Sequence, residues 1–146
     1  MILNTRHAGV VVRNIDKSLR FYQDILGLKI RSREKEEGSF IDKVTGIKKV
    51  CVETCKMTGP DDSMIELLQY HSHPANKPLV LASSNNLGCS HVAFTVSDLD
   101  KVYSLLKENN LNCVNPPATS PNGLVKVLYC HDFDGVIIEL VEELEI

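Results

Sequence analysis

The chain repeats itself. His7-Ala8-Gly9-Val10-Val11-Val12-Arg13-Asn14-Ile15-Asp16-Lys17 aligns with His91-Val92-Ala93-Phe94-Thr95-Val96-Ser97-Asp98-Leu99-Asp100-Lys101, an offset of 91 − 7 = 84. Histidine, aspartate and lysine coincide, and apolar residues fall at matching steps. Asp61-Asp62-Ser63-Met64-Ile65-Glu66-Leu67-Leu68 aligns with Asp134-Gly135-Val136-Ile137-Ile138-Glu139-Leu140-Val141, an offset of 139 − 66 = 73. A duplicated chain must fold as two similar units. The smaller second offset means that the first half carries extra residues between its matching segments.

Each half reads as β-α-β-β-β. In the first, a strand over 6–13 precedes an amphipathic helix over about 16–26. Its stripe is Ile15, Leu19, Tyr22, Ile25 and Leu26, and Gly27 is placed to end it. Strands are expected over 29–33, 48–56 and 63–70. In the second half a strand over 90–96 leads into a helix over 99–108 with the stripe Leu99, Val102, Leu105 and Leu106. Strands near Asn112 and over 124–129 and 136–142 complete it. Pro74 to Pro78, with Ser83-Ser84-Asn85-Asn86, reads as the connection between halves, and Pro116 to Gly123 as a loop. The expected class is α+β: one domain over 1–146, with module 1 at about 5–72 and module 2 at about 88–143.

Composition narrows the function classes. The net charge of −3 offers no broad basic surface to nucleic acid or anionic lipid. No apolar run is long enough to span a bilayer, and the first residues lack the apolar region of a secretory signal. Five cysteines, Cys51, Cys55, Cys89, Cys113 and Cys130, make an odd number, expected as reduced thiols in a cytoplasmic protein. Cys51 and Cys55 are read as small core or surface residues rather than metal ligands.

Four residues then need an explanation. Glu66 in Met64-Ile65-Glu66-Leu67-Leu68 and Glu139 in Ile137-Ile138-Glu139-Leu140-Val141 stand in strands apolar on both faces. Such strands are usually buried, and an ionised carboxylate is not buried without a partner. No lysine or arginine is expected to face either one, so a cation is called for. His7 and His91 open the other repeated strands, on the faces opposite Val10-Val12 and Phe94-Val96, and so point away from the helix-packed core. A single histidine or glutamate in such a setting is ordinary. Recurrence of both, in register, in both halves is not. Two imidazoles and two carboxylates suit one divalent ion: zinc, nickel, cobalt, manganese or iron(II).

These segments resemble the vicinal oxygen chelate superfamily, which includes glyoxalase I, methylmalonyl-CoA epimerase, extradiol dioxygenases and fosfomycin-resistance proteins. The resemblance is carried by His7 with Ile15 to Tyr22 and Leu26-Gly27-Leu28, by Ile65-Glu66-Leu67-Leu68, by His91-Val92-Ala93-Phe94, and by Asp132 to Leu140. It implies two tandem βαβββ modules forming a cupped eight-stranded mixed sheet, metal ligands at His7, Glu66, His91 and Glu139, and a homodimer acting on a small-molecule substrate. It further implies a lyase or isomerase of the glyoxalase I or epimerase type, moving a proton next to a carbonyl, with Glu139 or Glu66 as base. Glyoxalase I relatives carry an arginine four residues after the first ligand and an asparagine four after the second, which help hold glutathione. Val11 and Tyr70 stand there instead, which argues against glutathione. The alternatives are an extradiol-type dioxygenase and a non-catalytic small-molecule-binding or resistance protein. Of the remaining polar residues, His71 and His73 are expected to be solvated, and His131 and Arg13 are candidates for substrate contact.

Overall fold

The computed structural model describes residues 1–75, 77 and 79–145. Asn76 and Pro78, in the expected connection, lie outside the described residues, as does Ile146. The chain divides into two compact units, Met1–Lys77 and Pro78–Ile146.

Unit 1 runs β1 (Ala8–Val11), α1 (Ile15–Leu19), β2 (Lys29–Glu37), α2 (Ser39–Thr45), β3 (Cys51–Thr58) and β4 (Met64–Tyr70). Its four-stranded sheet has the order β1-β4-β3-β2. The β1–β4 pair is parallel and the other two pairs are antiparallel. α1 begins on Asn14, whose side chain accepts from Lys17 N at 2.9 Å, satisfying an N–H that the first turn leaves without a partner. After Leu19 the helix widens into π-type turns over Arg20–Ile25. It stops at Gly27, whose φ of +79° suits a residue without Cβ. The helical side of the sheet is packed by Val10, Val12, Ile15, Phe21, Tyr22, Cys55, Met57 and Leu67, all buried.

Unit 2 runs β5 (Val92–Thr95), α3 (Leu99–Glu108), β6 (Ala118–Thr119), β7 (Val125–His131) and β8 (Ile137–Glu143). Its order, β5-β8-β7-β6, again has one parallel pair, β5–β8. α3 starts on Asp98, which accepts from Lys101 N at 2.9 Å. Leu99, Leu106, Leu128, Cys130, Ile138 and Leu140 form the buried core.

The repeat extends to the tethers that dock each helix on its sheet. Ile15 N donates to Gln69 Oε1 at 2.9 Å, and Leu99 N donates to Glu142 Oε2 at 2.8 Å. These pairs obey the same two offsets, 99 − 15 = 84 and 142 − 69 = 73.

The α+β class and both repeated modules are as expected, with the eight strands hydrogen-bonded four and four. Three local expectations fail. The extra residues of the first half are a longer β2 and the helix α2, which starts after Gly38 and ends at Gly46 with φ +72°. Ile41 of α2 packs on Val50 and Val52, with Ile47, Leu68 and Tyr70 around them. No strand forms at Asn112. Only Cys113 bridges to Cys130, and the edge strand β6 lies inside the stretch expected to be a loop. Pro116 and Pro117 explain this shift, because proline cannot donate to a ladder and so delays pairing until Ala118.

Candidate metal centre

In each unit the first and last strands are parallel neighbours. Gly9 pairs with Glu66 and Ala93 with Glu139. His7 and His91 sit two residues before those partners, and side chains two apart share a sheet face. Histidine and glutamate therefore meet on the side away from the helix in both units. His91 Nε2 is 2.9 Å from Glu139 Oε2, and His7 Nε2 is 3.6 Å from Glu66 Oε1.

The strands hold these groups half-buried rather than sealed. Side-chain exposure is 12% for Glu66, 21% for Glu139, 28% for His7 and 30% for His91. The apolar residues on both faces predict full burial of the two glutamate strands, yet the face carrying the glutamates is partly open. The expectation that no cation faces either glutamate also fails for Glu66. Lys56 pairs with it across β3–β4, and the Lys56 Nζ lies 3.8 Å from Glu66 Oε2. The signal is present in the sequence, since the alternation of β3 puts Lys56 on a face otherwise formed by Val52, Thr54 and Thr58.

Each unit thus brings together one imidazole and one carboxylate, and among the described residues no group of three or more His, Cys, Asp or Glu is gathered as a metal cluster. The donors fit a divalent ion as half-sites. Nitrogen and carboxylate oxygen on adjacent strands are suitable ligand types. The buried Nδ1 of His7 has no hydrogen-bond partner among the described residues, and a buried ring nitrogen ordinarily has one.

The remaining histidines and Arg13 are engaged elsewhere. His71 is not merely solvated: its Nε2 is 2.7 Å from Glu53 Oε2, while Arg33 donates to Glu53 Oε1 at 2.6 Å and to Asp16 Oδ1 at 2.7 Å. This network, with His71 first and Arg33 next, holds the Glu53 carboxyl below its ordinary range. His73 Nδ1 is 2.8 Å from Ser72 Oγ. Arg13 donates to the backbone carbonyl of Lys77. His131 is buried with both ring nitrogens engaged, one 2.9 Å from Asn112 Nδ2 and the other 2.9 Å from the Ala82 carbonyl. It fastens the 79–84 segment to the end of β7 within unit 2 instead of presenting a free nitrogen. Gly135 supports the same seat, since it lies so close to this segment that an added Cβ would come within 2.3 Å of the Val80 carbonyl oxygen. Beneath the segment lies a cavity of about 410 Å³ lined by Leu81, Ser83, Asn112, Tyr129, His131 and Ile137, among others. Tyr129 pairs with Glu139 and His131 with Ile137, so this cavity opens on the sheet face that carries Glu139. The Tyr129 ring lies 5.2 Å from the His91 ring.

Two strand–helix–sheet repeats, each presenting a histidine–glutamate pair from parallel neighbours, define a duplicated α+β scaffold. The chain belongs to the Glyoxalase/Bleomycin resistance protein/Dioxygenase superfamily, whose family model matches residues 5–140. A lactoylglutathione lyase of Neisseria meningitidis serogroup A is 28% identical over 138 residues, 94% of this chain and 88% of its own length. A probable lactoylglutathione lyase of Synechocystis sp. is 27% identical over 137 residues, covering 93% and 92%. The crystal structure of a glyoxalase family protein from Bacillus cereus superposes with a TM-score of 0.91 at 31% identity, over 99% of this chain and 97% of that one. Among the described residues no helix is long and apolar enough to cross a membrane.

Proposed function

We propose that the protein is a divalent-metal-dependent lyase or isomerase that moves a proton at a carbon next to a carbonyl in a small-molecule substrate. The observation that carries this reading is the repetition of the histidine–glutamate pair in register in both units. In this reading His7, Glu66, His91 and Glu139 together hold one ion, and the chain acts as a cytoplasmic homodimer. Relatives named lactoylglutathione lyases are consistent with the reaction class.

When bound, the ion supplies positive charge to a carbonyl oxygen as negative charge grows there. The chain's own residues supply the rest. His7 and His91 would supply their Nε2 nitrogens beside the two carboxylates. Glu139 is the favoured base over Glu66: its ion-pair partner among the described residues is His91 alone, whereas Glu66 also shares its charge with Lys56. A carboxylate within hydrogen-bond reach of the carbon acid can take its proton and return it. The cavity beneath 79–84, on the Glu139 face, is of a size suited to a small organic group and has no lysine or arginine in its lining.

Ligand count favours proton transfer over oxygen chemistry. Four protein donors would leave a divalent ion fewer open positions than three would, and catechol with O₂ would need more of them than a single oxygen substrate. The test is incubation of the metal-loaded protein in deuterated water, without oxygen, with α-hydroxyketone, hemithioacetal and acyl-CoA candidates. Solvent deuterium at the carbon next to the carbonyl of at least one of them is the expected result. Oxygen-dependent catechol cleavage by the iron(II) form, with no exchange in any of the others, would replace this reading with the dioxygenase.

A further inference from the structure

We infer that Lys56 selects a substrate bearing a carboxylate or equivalent anionic oxygen group close to the carbonyl that reacts. This rests on the proposed metal reading and adds a substrate class to it. Four observations lead there. Lys56 lies directly across the ladder from Glu66, on the same sheet face. Its Nζ is 3.8 Å from Glu66 Oε2, beyond hydrogen-bond length, so this contact leaves the ammonium's donors free for another acceptor. The side chain is 32% exposed, open to an incoming ligand. On this face of β3 and β4, formed by Val52, Thr54, Lys56, Thr58, Met64, Glu66, Leu68 and Tyr70, Lys56 is the one cation among the described residues.

Charge bookkeeping gives the preference its sign. Two glutamates neutralise a divalent ion, and neutral histidines add nothing, so the four donors and the ion sum to zero. Lys56 adds one positive charge beside them. The repeat shows that this cation is not a requirement of the scaffold, because the equivalent residue of the second unit, across from Glu139, is the neutral Tyr129. A half-buried ammonium next to an ion-binding carboxylate weakens the hold on the metal unless an anion joins it. An anionic ligand meets both positive charges at once, and a charge-assisted hydrogen bond to it is worth roughly tenfold or more in affinity.

The test uses the cobalt(II)-loaded protein, whose visible spectrum reports ligands entering the site. Oxalate serves as the anionic probe and imidazole as the neutral one, against wild type, Lys56→Met and Lys56→Arg. The expected result is unchanged or tighter cobalt binding in Lys56→Met, oxalate affinity lower by about tenfold or more, imidazole affinity within about threefold, and oxalate binding largely restored in Lys56→Arg. Equal oxalate affinity in wild type and Lys56→Met, with full cobalt in both, would overturn the inference and leave the metal reading standing. Loss of cobalt from Lys56→Met would also overturn it, by assigning Lys56 to the support of Glu66. Wild type that takes up no cobalt would remove the metal reading itself, and this inference with it.

Discussion

Lys56 and Tyr129 occupy one position in two copies of the same module. Each stands directly across an antiparallel ladder from the glutamate of its unit, Lys56 from Glu66 and Tyr129 from Glu139, at the offset that relates the glutamates, 129 − 56 = 73. The backbone has kept its symmetry while the side chains have not. Beside Glu66 there is an ammonium at 3.8 Å, and beside the Glu139 pair there is an aromatic ring 5.2 Å from that of His91. The two halves are matched as donors of histidine and carboxylate, and differ in what surrounds those donors.

Glutathione should be a poor cosubstrate. Val11, half exposed, replaces a polar anchor, and Tyr70 packs beside the Ile41, Val50 and Val52 cluster instead of offering an amide. Assay with methylglyoxal and glutathione should give kcat/KM below about 10⁴ M⁻¹s⁻¹, the lower end of ordinary enzymatic efficiency. A higher value would show that other residues hold the thiol.

Gly135→Ala should loosen the 79–84 segment. The position has φ +85°, and an added Cβ would lie 2.3 Å from the Val80 carbonyl oxygen. Gly123→Ala is the control, with φ +73° and nothing within 4 Å. Both variants incur backbone strain of about 1 kcal/mol, but only Gly135→Ala forces the segment away. Hydrogen exchange should quicken at Ala82, whose N–H donates to the Gly135 carbonyl at 3.1 Å, in that variant alone. Equal protection of Ala82 in both would contradict the seat described.

Acid should weaken unit 1 through Glu53. Its carboxyl is held below the ordinary 4.5, chiefly by His71 and also by Arg33. A lowered folded-state value means the contribution is complete above about 4.5, the unfolded value, and is lost as pH falls through the lower folded one. Glu53→Gln should cost about 1 kcal/mol at pH 7, given that the network is partly solvated, and should flatten the stability curve below pH 4.5. Denaturant titrations at pH 3 to 7 give both quantities. An unchanged slope in the acid range would remove Glu53 from the account.

The thiols should react in order of burial. Cys130 is fully buried and burial pushes its thiol up to about 12, so at pH 8 only about one part in 10⁴ is thiolate. Cys89 is exposed. Iodoacetamide footprinting of the folded protein at pH 8 should label Cys89 first and leave Cys130 and the buried Cys55 unmodified. Early labelling of Cys130 would contradict its placement in the core.

Much of the fold and of the candidate site is legible in the sequence because duplication gives every argument a second instance. Helix 99–108 has the limits its sequence predicts, since Asp98 caps it and the stripe Leu99, Val102, Leu105 and Leu106 has one period. The pairing of His7 with Glu66 and of His91 with Glu139 arises from alternation once the strands are parallel neighbours. Features particular to one copy are not legible in this way. α2 is seven residues with Phe40 and Val44 exposed, too short and too little amphipathic for periodicity to show. Alternation along β3 assigns Lys56 to its face, but the register that sets it across from Glu66 is fixed by the ladder, and the role of His131 depends on Ala82 in a distant loop, which no local pattern announces.

The central claim is that the two histidine–glutamate pairs serve one metal ion. Metal analysis of wild type, His7→Ala, Glu66→Ala, His91→Ala and Glu139→Ala, each checked for retained folding by circular dichroism, tests it most directly. The account predicts one divalent ion for each set of His7, Glu66, His91 and Glu139 in wild type. It also predicts at least about a tenfold loss of affinity in every variant, whichever unit carries the substitution. Unchanged stoichiometry and affinity in His91→Ala and Glu139→Ala would show that the site is wrongly placed.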